Sequence, residues 1–250
     1  MTRRVLVTGA ASGIGAALCA RLAEQGVEAI GLDRQGADIT CDLASPAEVM
    51  RAAEQIEGRL HGIAHVAGLS GTADPAAILA VNTRAPRLLT DALADRLASG
   101  GAVVAVSSVT AARCPLSERT KDVLLGTAPA AQLSGAGVTG GKEAYELSKA
   151  LLERWVLHAA HDFAERQVRV VAVAPGPVET PLLPQFRASI GADRIAAAEQ
   201  LTGRHARAEE IAAVIAFLLS PYASWINGTV IRADGGYHTF RALEEAGLCA

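Results

Sequence analysis

Short apolar runs alternate with longer segments in which apolar residues recur every three or four positions, and the alternation continues from Val5 to Ile231. Val5-Leu6-Val7 predicts a first strand that stops at Thr8-Gly9, and Ala17, Leu18 and Leu22 then take up a helical period ending at Gly26. Val27 to Leu32 predicts a second strand and Ala37 to Cys41 a short, poor third. Ser45-Pro46-Ala47-Glu48 reads as a capping box with Pro at the first helical position, opening a helix through Val49, Ala52, Ala53 and Ile56 to Gly58. Gly62 to Val66 is the fourth strand. Asp74-Pro75 opens a helical region that Pro86 should kink or split, and Ala102 to Val106 is the fifth strand. A long amphipathic helix carries Tyr145 through Leu152, Trp155, Val156, Ala159 and Phe163. Strand six follows at Val168 to Val173, a strongly apolar helix at Glu209 to Leu219, and a last strand and turn at Gly228 to Gly236.

Strands alternating with helices predict a parallel sheet of about seven strands with helices on both faces, an α/β Rossmann-like doubly wound domain spanning residues 1–250 without linker or repeat. Ligands of such sheets bind beyond the carboxyl ends of the strands, which is where Gly9, Asp33, Gly68 and Ser108 fall. Two stretches break the pattern. Residues 110–141, rich in Gly, Ser and Pro, read as an inserted loop with a short helix near Lys121 to Leu125, a lid or an oligomer contact. Residues after Pro181 are weakly patterned and are expected to cover a substrate with Leu182, Leu183, Phe186 and Ile190.

Composition narrows the partners. Hydrophobic residues make up 50% and charged residues 20%, enough to fill a large core. A net charge of −3 with interspersed signs provides no basic stripe for nucleic acid and no polybasic membrane patch. Met1-Thr2-Arg3-Arg4 leads directly into the first strand and no long apolar run occurs, so a cytoplasmic chain without a membrane span is expected. Cys19, Cys41, Cys114 and Cys249 are scattered and read as reduced thiols; no metal site is expected, and His61 and His65 read as polar residues flanking a strand.

The order strand, glycine turn, helix at Gly9-Ala10-Ala11-Ser12-Gly13-Ile14-Gly15 suits a pyrophosphate, because glycines admit close backbone approach and a helix N-terminus offers free N–H groups. Asp33, closing the second strand, is placed to accept from adenosine ribose hydroxyls and to repel a 2′-phosphate, favouring NAD, while the adjacent Arg34 could meet such a phosphate. Tyr145 and Lys149 are four apart on one helix and share a face. A phenolate acting near neutral pH needs its pKa lowered by about 3 units, roughly 4 kcal/mol, and a neighbouring ammonium can supply part of that.

Taken in order, these pieces resemble the short-chain dehydrogenase/reductase family from Val5 to about Gly236. Thr8-Gly9-x-x-x-Gly13-Ile14-Gly15 is similar to its cofactor turn, Asp33 to its NAD-selecting acid, Asp42-Leu43 to the pair beside adenine, and Ala67-Gly68 to the end of its fourth strand. Pro175-Gly176-Pro177-Val178-Glu179-Thr180 resembles the segment that holds the nicotinamide carboxamide. Asn82, Ser108, Tyr145 and Lys149 fall in the order of the family's catalytic tetrad.

The resemblance implies that Tyr145 is the general acid or base and that Ser108, rather than Ser107 on the opposite face, binds the substrate oxygen. It also implies that Lys149 lowers the tyrosine pKa and holds a ribose, and that Asn82 positions a water. Two features depart from the family pattern: His65-Val66 stands where Asn-Asn is common, and the interval from Ser108 to Tyr145 is long. The long interval, with Glu179-Thr180-Pro181-Leu182-Leu183, resembles the subgroup containing bacterial 3α-hydroxysteroid dehydrogenase/carbonyl reductase. The expected function is hydride transfer between NAD(H) and a secondary alcohol or ketone, hydrophobic and cyclic or aromatic, by a homodimer or homotetramer. The contrasting expectation is a dinucleotide-binding scaffold without turnover.

Overall fold

A computed structural model describes residues 2–248; Cys249 lies outside the described residues. Strand β1 (Arg4–Thr8) turns through Gly9 into α1 (Gly13–Glu24), followed by β2 (Glu28–Asp33) and the two-residue β3 (Ile39–Thr40). Helix α2 (Pro46–Gln55) begins where Ser45 Oγ accepts from Glu48 N at 3.4 Å. The expected capping box is half formed, because the Glu48 carboxylate accepts instead from Asp42 N at 2.8 Å, tying the helix to the end of β3.

Next come β4 (Leu60–His65), α3 (Pro75–Leu79), a π-helical turn (Ala80–Arg84) and α4 (Ala85–Ala92). Pro86 sits in the first turn of α4, and the helical region is divided ahead of it. The irregularity falls just before it, since a proline has no N–H for the carbonyl four residues back and the chain adopts the wider turn there.

Strand β5 (Leu97–Val106) runs into a 3₁₀ turn (Val109–Arg113). The segment expected to be a loop forms α5 (Glu118–Leu125) and α6 (Pro129–Ala136). Leu124 and Leu125 are buried in the main core, and Asp122 takes two hydrogen bonds from Arg154, at 2.5 and 2.7 Å. Arg154 lies on α7 (Gly141–Asp162), the longest helix among the described residues.

After β6 (Arg169–Pro175) and the short β7 (Val178–Glu179), the weakly patterned stretch forms α8 (Leu183–Ile190) and α9 (Ala192–Thr202). Then follow β8 (Ala206–Arg207), α10 (Ala208–Leu219), β9 (Val230–Ala233) and α11 (Tyr237–Glu245).

Seven strands pair in parallel in the order β3-β2-β1-β4-β5-β6-β9, and β7 and β8 pair separately. One face packs on α1 and α10 through Leu18, Leu22, Ile211 and Ile215; the other packs on α2, α4 and α7 through Val49, Leu89, Leu151 and Trp155. Helices therefore cover both faces, and the central strands β1, β4, β5 and β6 are buried along most of their length. The order reverses direction between β1 and β4, which opens a crevice beyond their carboxyl ends.

His65 corrects an expectation. It is 3% exposed inside β4, with Nε2 2.8 Å from Thr90 Oγ1 and its ring edge-on to Trp155. Burial pushes its pKa down to about 3, so it is a neutral core residue. No helix is long and apolar enough to cross a membrane, and no cluster of His, Cys, Asp and Glu among the described residues could hold a metal.

Candidate active site

Two elements deliver the reacting side chains to one point. β5 ends at Val106 and hands on Ser107 and Ser108, while α7 carries Tyr145 and Lys149 one turn apart; Tyr145 is 6% exposed and Lys149 4%. Ser108 Oγ accepts from Thr110 N at 3.2 Å and from Thr110 Oγ1 at 3.0 Å. Its own hydrogen is thereby left free to turn toward the Tyr145 phenol, whose pKa Ser108 lowers. Ser107 faces the other way and donates to Glu153 Oε1 at 2.7 Å, so the two serines divide as strand alternation requires.

Lys149 Nζ stands 5.7 Å from the Tyr145 ring centroid and donates to the Val106 carbonyl at 2.7 Å. The expectation that this ammonium brings the phenol toward neutral pH is not met in the ligand-free chain. Burial pushes Tyr145 up to about 12, opposed only by Ser108, and pushes Lys149 down to about 8, opposed by the Glu153 carboxylate. Desolvation of both groups outweighs their attraction because the lysine hydrogen bond goes to a strand carbonyl.

Asn82 is 1% exposed in the π-helical turn. Its amide donates to Leu69 O at 3.0 Å and to Ser148 Oγ at 3.0 Å, and its oxygen accepts from Leu69 N at 2.8 Å. Both amide hydrogens are spent on protein, so the side chain clamps the loop after β4 to α7. A methyl on Gly68 would lie 3.4 Å from Asn82 Oδ1 and 3.6 Å from Lys149 Nζ, in ordinary contact with both, so Gly68 stands directly beside the two side chains.

The glycine turn is built for close approach. Gly9 has φ +71° and Gly13 φ +52°, and a Cβ on Gly15 would fall 2.0 Å from the Gly9 carbonyl. α1 has no acidic residue in its first turn and Ser12 makes no side-chain cap, so its leading N–H groups are free for an anion. Asp33 Oδ2 accepts from Ala11 N at 3.0 Å, fixing that carboxylate beside the turn. A Cβ on Gly13 would meet Thr180 at 3.3 Å, so the 178–180 segment crosses directly over the turn. Thr8 Oγ1 accepts from Val66 N and Ala67 N at 3.0 and 3.1 Å, holding the end of β4 against β1. Asp42 is exposed, its Oδ1 accepting from Ala44 N at 2.9 Å; the Leu43 side chain is sunk in the core and does not stand in the crevice. This set fits a dinucleotide: an uncapped helix N-terminus, a cradle that any Cβ would fill, and an acid at the strand end.

A cavity opens where these parts meet. Ser108, Tyr145 and Lys149 line it together with Ile14, Gly68, Pro175, Gly176, Val178 and Thr180 from the cofactor set, and with Leu182, Leu183, Phe186 and Ile190. Gly9, Ser12, Gly13, Gly15, Asp33, Asp42, Leu43, Ala67 and Asn82 do not line it; apart from Asn82 they follow the carboxyl edge from β1 to β4. The Phe186 ring lies 5.2 Å from that of Tyr145, so α8 roofs the phenol. The sequence reading missed Arg113, Arg194 and Tyr237, which also line the cavity, and Glu153 behind Lys149. Of these, only Glu153 had a local signal, lying four residues after Lys149 on the same helix.

Residues 3–118 match the short chain dehydrogenase family and residues 129–238 the enoyl-(acyl carrier protein) reductase family. The chain is 34% identical over 244 residues to coniferyl-alcohol dehydrogenase of Pseudomonas sp. strain HR199, a match covering 94% of this chain and 96% of that one. It is 32% identical over 249 residues to 3-alpha-hydroxysteroid dehydrogenase/carbonyl reductase of Comamonas testosteroni, covering 93% and 95%. Among solved structures, 3-alpha-hydroxysteroid dehydrogenase from Pseudomonas sp. B-0831 complexed with NADH superposes with a TM-score of 0.85 at 36% identity, covering 97% of this chain and 98% of that one. The fold and its glycine turn define a nucleotide-binding α/β oxidoreductase. The chain belongs to the short-chain dehydrogenase/reductase family, whose members use NAD(P).

Proposed function

We propose that this protein interconverts a hydrophobic cyclic or aromatic secondary alcohol and its ketone, with NAD(H) as cofactor. The observation that carries the reading is that Ser108, Tyr145 and Lys149 line one largely apolar cavity together, with Lys149 one turn along α7 from Tyr145. In the ketone direction Tyr145 gives its proton to the substrate oxygen, and Ser108 donates to the same oxygen as charge develops there. In the alcohol direction both steps reverse. Leu182, Leu183, Phe186 and Ile190 exclude water from the reacting carbon.

Gly9, Ser12, Gly13, Ile14 and Gly15 would hold the pyrophosphate, Asp33 the adenosine ribose, and Asp42 with the backbone of Leu43 the adenine side. Ala67, Gly68, Tyr145, Lys149, Pro175, Gly176, Val178 and Thr180 would hold the nicotinamide half. Once bound, the cofactor supplies the hydride or accepts it. NAD is favoured over NADP because the Asp33 carboxylate, fixed by the Ala11 and Arg34 amides at 3.0 and 2.7 Å, would repel a 2′-phosphate.

We read the 110–141 segment as an oligomer contact of a homodimer or homotetramer: α5 and α6 do not line the cavity, and Val123 is 66% exposed on α5. Formation of NADH from NAD and a panel of secondary alcohols tests the reaction. Binding of NADH without turnover of any member would leave the contrasting scaffold reading.

A further inference from the structure

The charged side chains lining the cavity are Lys149, Arg113 and Arg194, all cations, and no carboxylate lines it. Lys149 donates one hydrogen to the Val106 carbonyl and faces the proposed cofactor with the others. Arg113, at the end of the 3₁₀ turn after β5, reaches the Tyr237 hydroxyl at 3.4 Å with one nitrogen and lies 3.9 Å from Glu146 Oε1 with another. Arg194, on α9, makes no ion pair among the described residues. Both guanidiniums act on Glu146, the residue after Tyr145, whose Oε1 is buried without a hydrogen-bond partner and does not line the cavity. Glu146 holds Arg113 to the α7 side of the cavity. A ligand in this cavity meets an apolar wall from Leu183, Phe186 and Ile195, a reacting pair at Tyr145 and Ser108, and a cationic rim.

We propose that the substrate is a cyclic alcohol or ketone that carries a carboxylate, its ring on the α8–α9 wall and its carboxylate at Arg194 and Arg113. This rests on the hydride-transfer reading above and narrows its substrate class. A planar guanidinium pairs bidentately with a carboxylate, and the low-dielectric wall strengthens that pairing relative to open water. Arg194 is exposed, so the interaction weakens as salt rises.

The test compares cyclohexanones bearing a carboxylate at C3, at C4 or on a two-carbon arm with their primary amides, which match in shape and lack the charge. Reduction by NADH is followed at low and high salt, and binding of each compound to the NAD-saturated protein is measured by calorimetry. At least one acid is expected to exceed its amide about tenfold in kcat/KM, through KM, the size of one charge-assisted hydrogen bond. Arg194→Gln and Arg113→Gln are each expected to narrow that ratio, as is high salt. Equal kcat/KM and equal affinity for every acid and its amide overturn the proposal. So does an Arg194→Gln variant that raises the KM for NADH while leaving the acid-to-amide ratio intact, since the cations would then serve the cofactor. Tighter binding of an acid without turnover of any compound supports the anion site and counts against the hydride-transfer reading instead. Melting curves of the two variants confirm that they are folded.

Discussion

Lys149 gives its ammonium hydrogen to the Val106 carbonyl at 2.7 Å, not to the Tyr145 phenol. One bond thus ties the catalytic helix to the end of the central strand and leaves a buried lysine with its pKa down at about 8. Its ordinary value is 10.5, so between these pH values the unfolded chain binds a proton that the folded chain does not. Stability from this group therefore rises with pH across that window, by up to about 3 kcal/mol. Cys41, pushed from 9.0 up to about 11, and Tyr145, pushed from 10.0 up to about 12, act in the opposite sense over windows that overlap this one. The difference between wild type and Lys149→Met isolates the effect. Denaturant unfolding of the ligand-free protein should show that difference changing from about pH 8 to 10.5, and a flat difference would mean Lys149 is not desolvated.

His65 predicts an acid limb. Its folded pKa near 3 lies below its ordinary 6.5, so on acidification the unfolded chain takes up the proton first and stability falls from about pH 6.5 downward. His65→Gln keeps a polar partner for Thr90 and removes the titration. The slope of unfolding free energy against pH between 6.5 and 4 should be shallower in the variant; an unchanged slope would assign the acid limb to other groups.

Gly15→Ala places a methyl carbon 2.0 Å from the Gly9 carbonyl, and backbone must move to accept it. The expected cost is about 1–3 kcal/mol of stability, as for other overpacked sites. Dinucleotide affinity should fall further than stability alone explains, because the displaced atoms form the turn. NADH fluorescence titration beside thermal unfolding measures both, and undiminished affinity would separate the turn from the cofactor.

Much of this arrangement was legible beforehand, for reasons that differ by element. The strands are nearly continuous apolar runs because the sheet is covered on both faces, and the glycine turn was readable because steric need at Gly9, Gly13 and Gly15 leaves few substitutes. Of α5 only the part from Lys121 to Leu125 was legible, and α6 was hidden. Ser134, Gly135 and Pro129 weaken local helix propensity, and the segment folds because Leu124, Leu125 and Leu133 pack on the main core. α8 and α9 were obscured because Gly191, at φ +107°, breaks them into short pieces whose apolar side lines a cavity. Tyr237 lay beyond Gly235-Gly236, where the strand pattern ends and α11 begins. Arg113 and Arg194 carried no periodic signal at all, since only the closing of β5 and α9 over one space brings them together.

Glu153 stands behind Lys149 as a positioning residue. It accepts from Ser107 at 2.7 Å, and its charge raises the Lys149 pKa against the effect of burial. Glu153→Gln keeps the Ser107 contact and removes that charge, so Lys149 should lose its proton at lower pH. The alkaline limb of kcat/KM against pH is expected to move to lower pH by a fraction of a unit to about one unit, the scale of one nearby charge. A limb that stays in place, with kcat merely scaled down, would reduce Glu153 to packing.

The central claim is that the Tyr145 phenol moves the substrate proton. Steady-state oxidation of a responsive secondary alcohol by NAD, compared between wild type and Tyr145→Phe, tests it most directly. The substitution removes one oxygen from a ring packed 5.2 Å from that of Phe186, so folding and NADH binding should persist. A fall in kcat/KM of about a hundred- to ten-thousandfold with both retained is the predicted result. Turnover by Tyr145→Phe at the wild-type rate would contradict it.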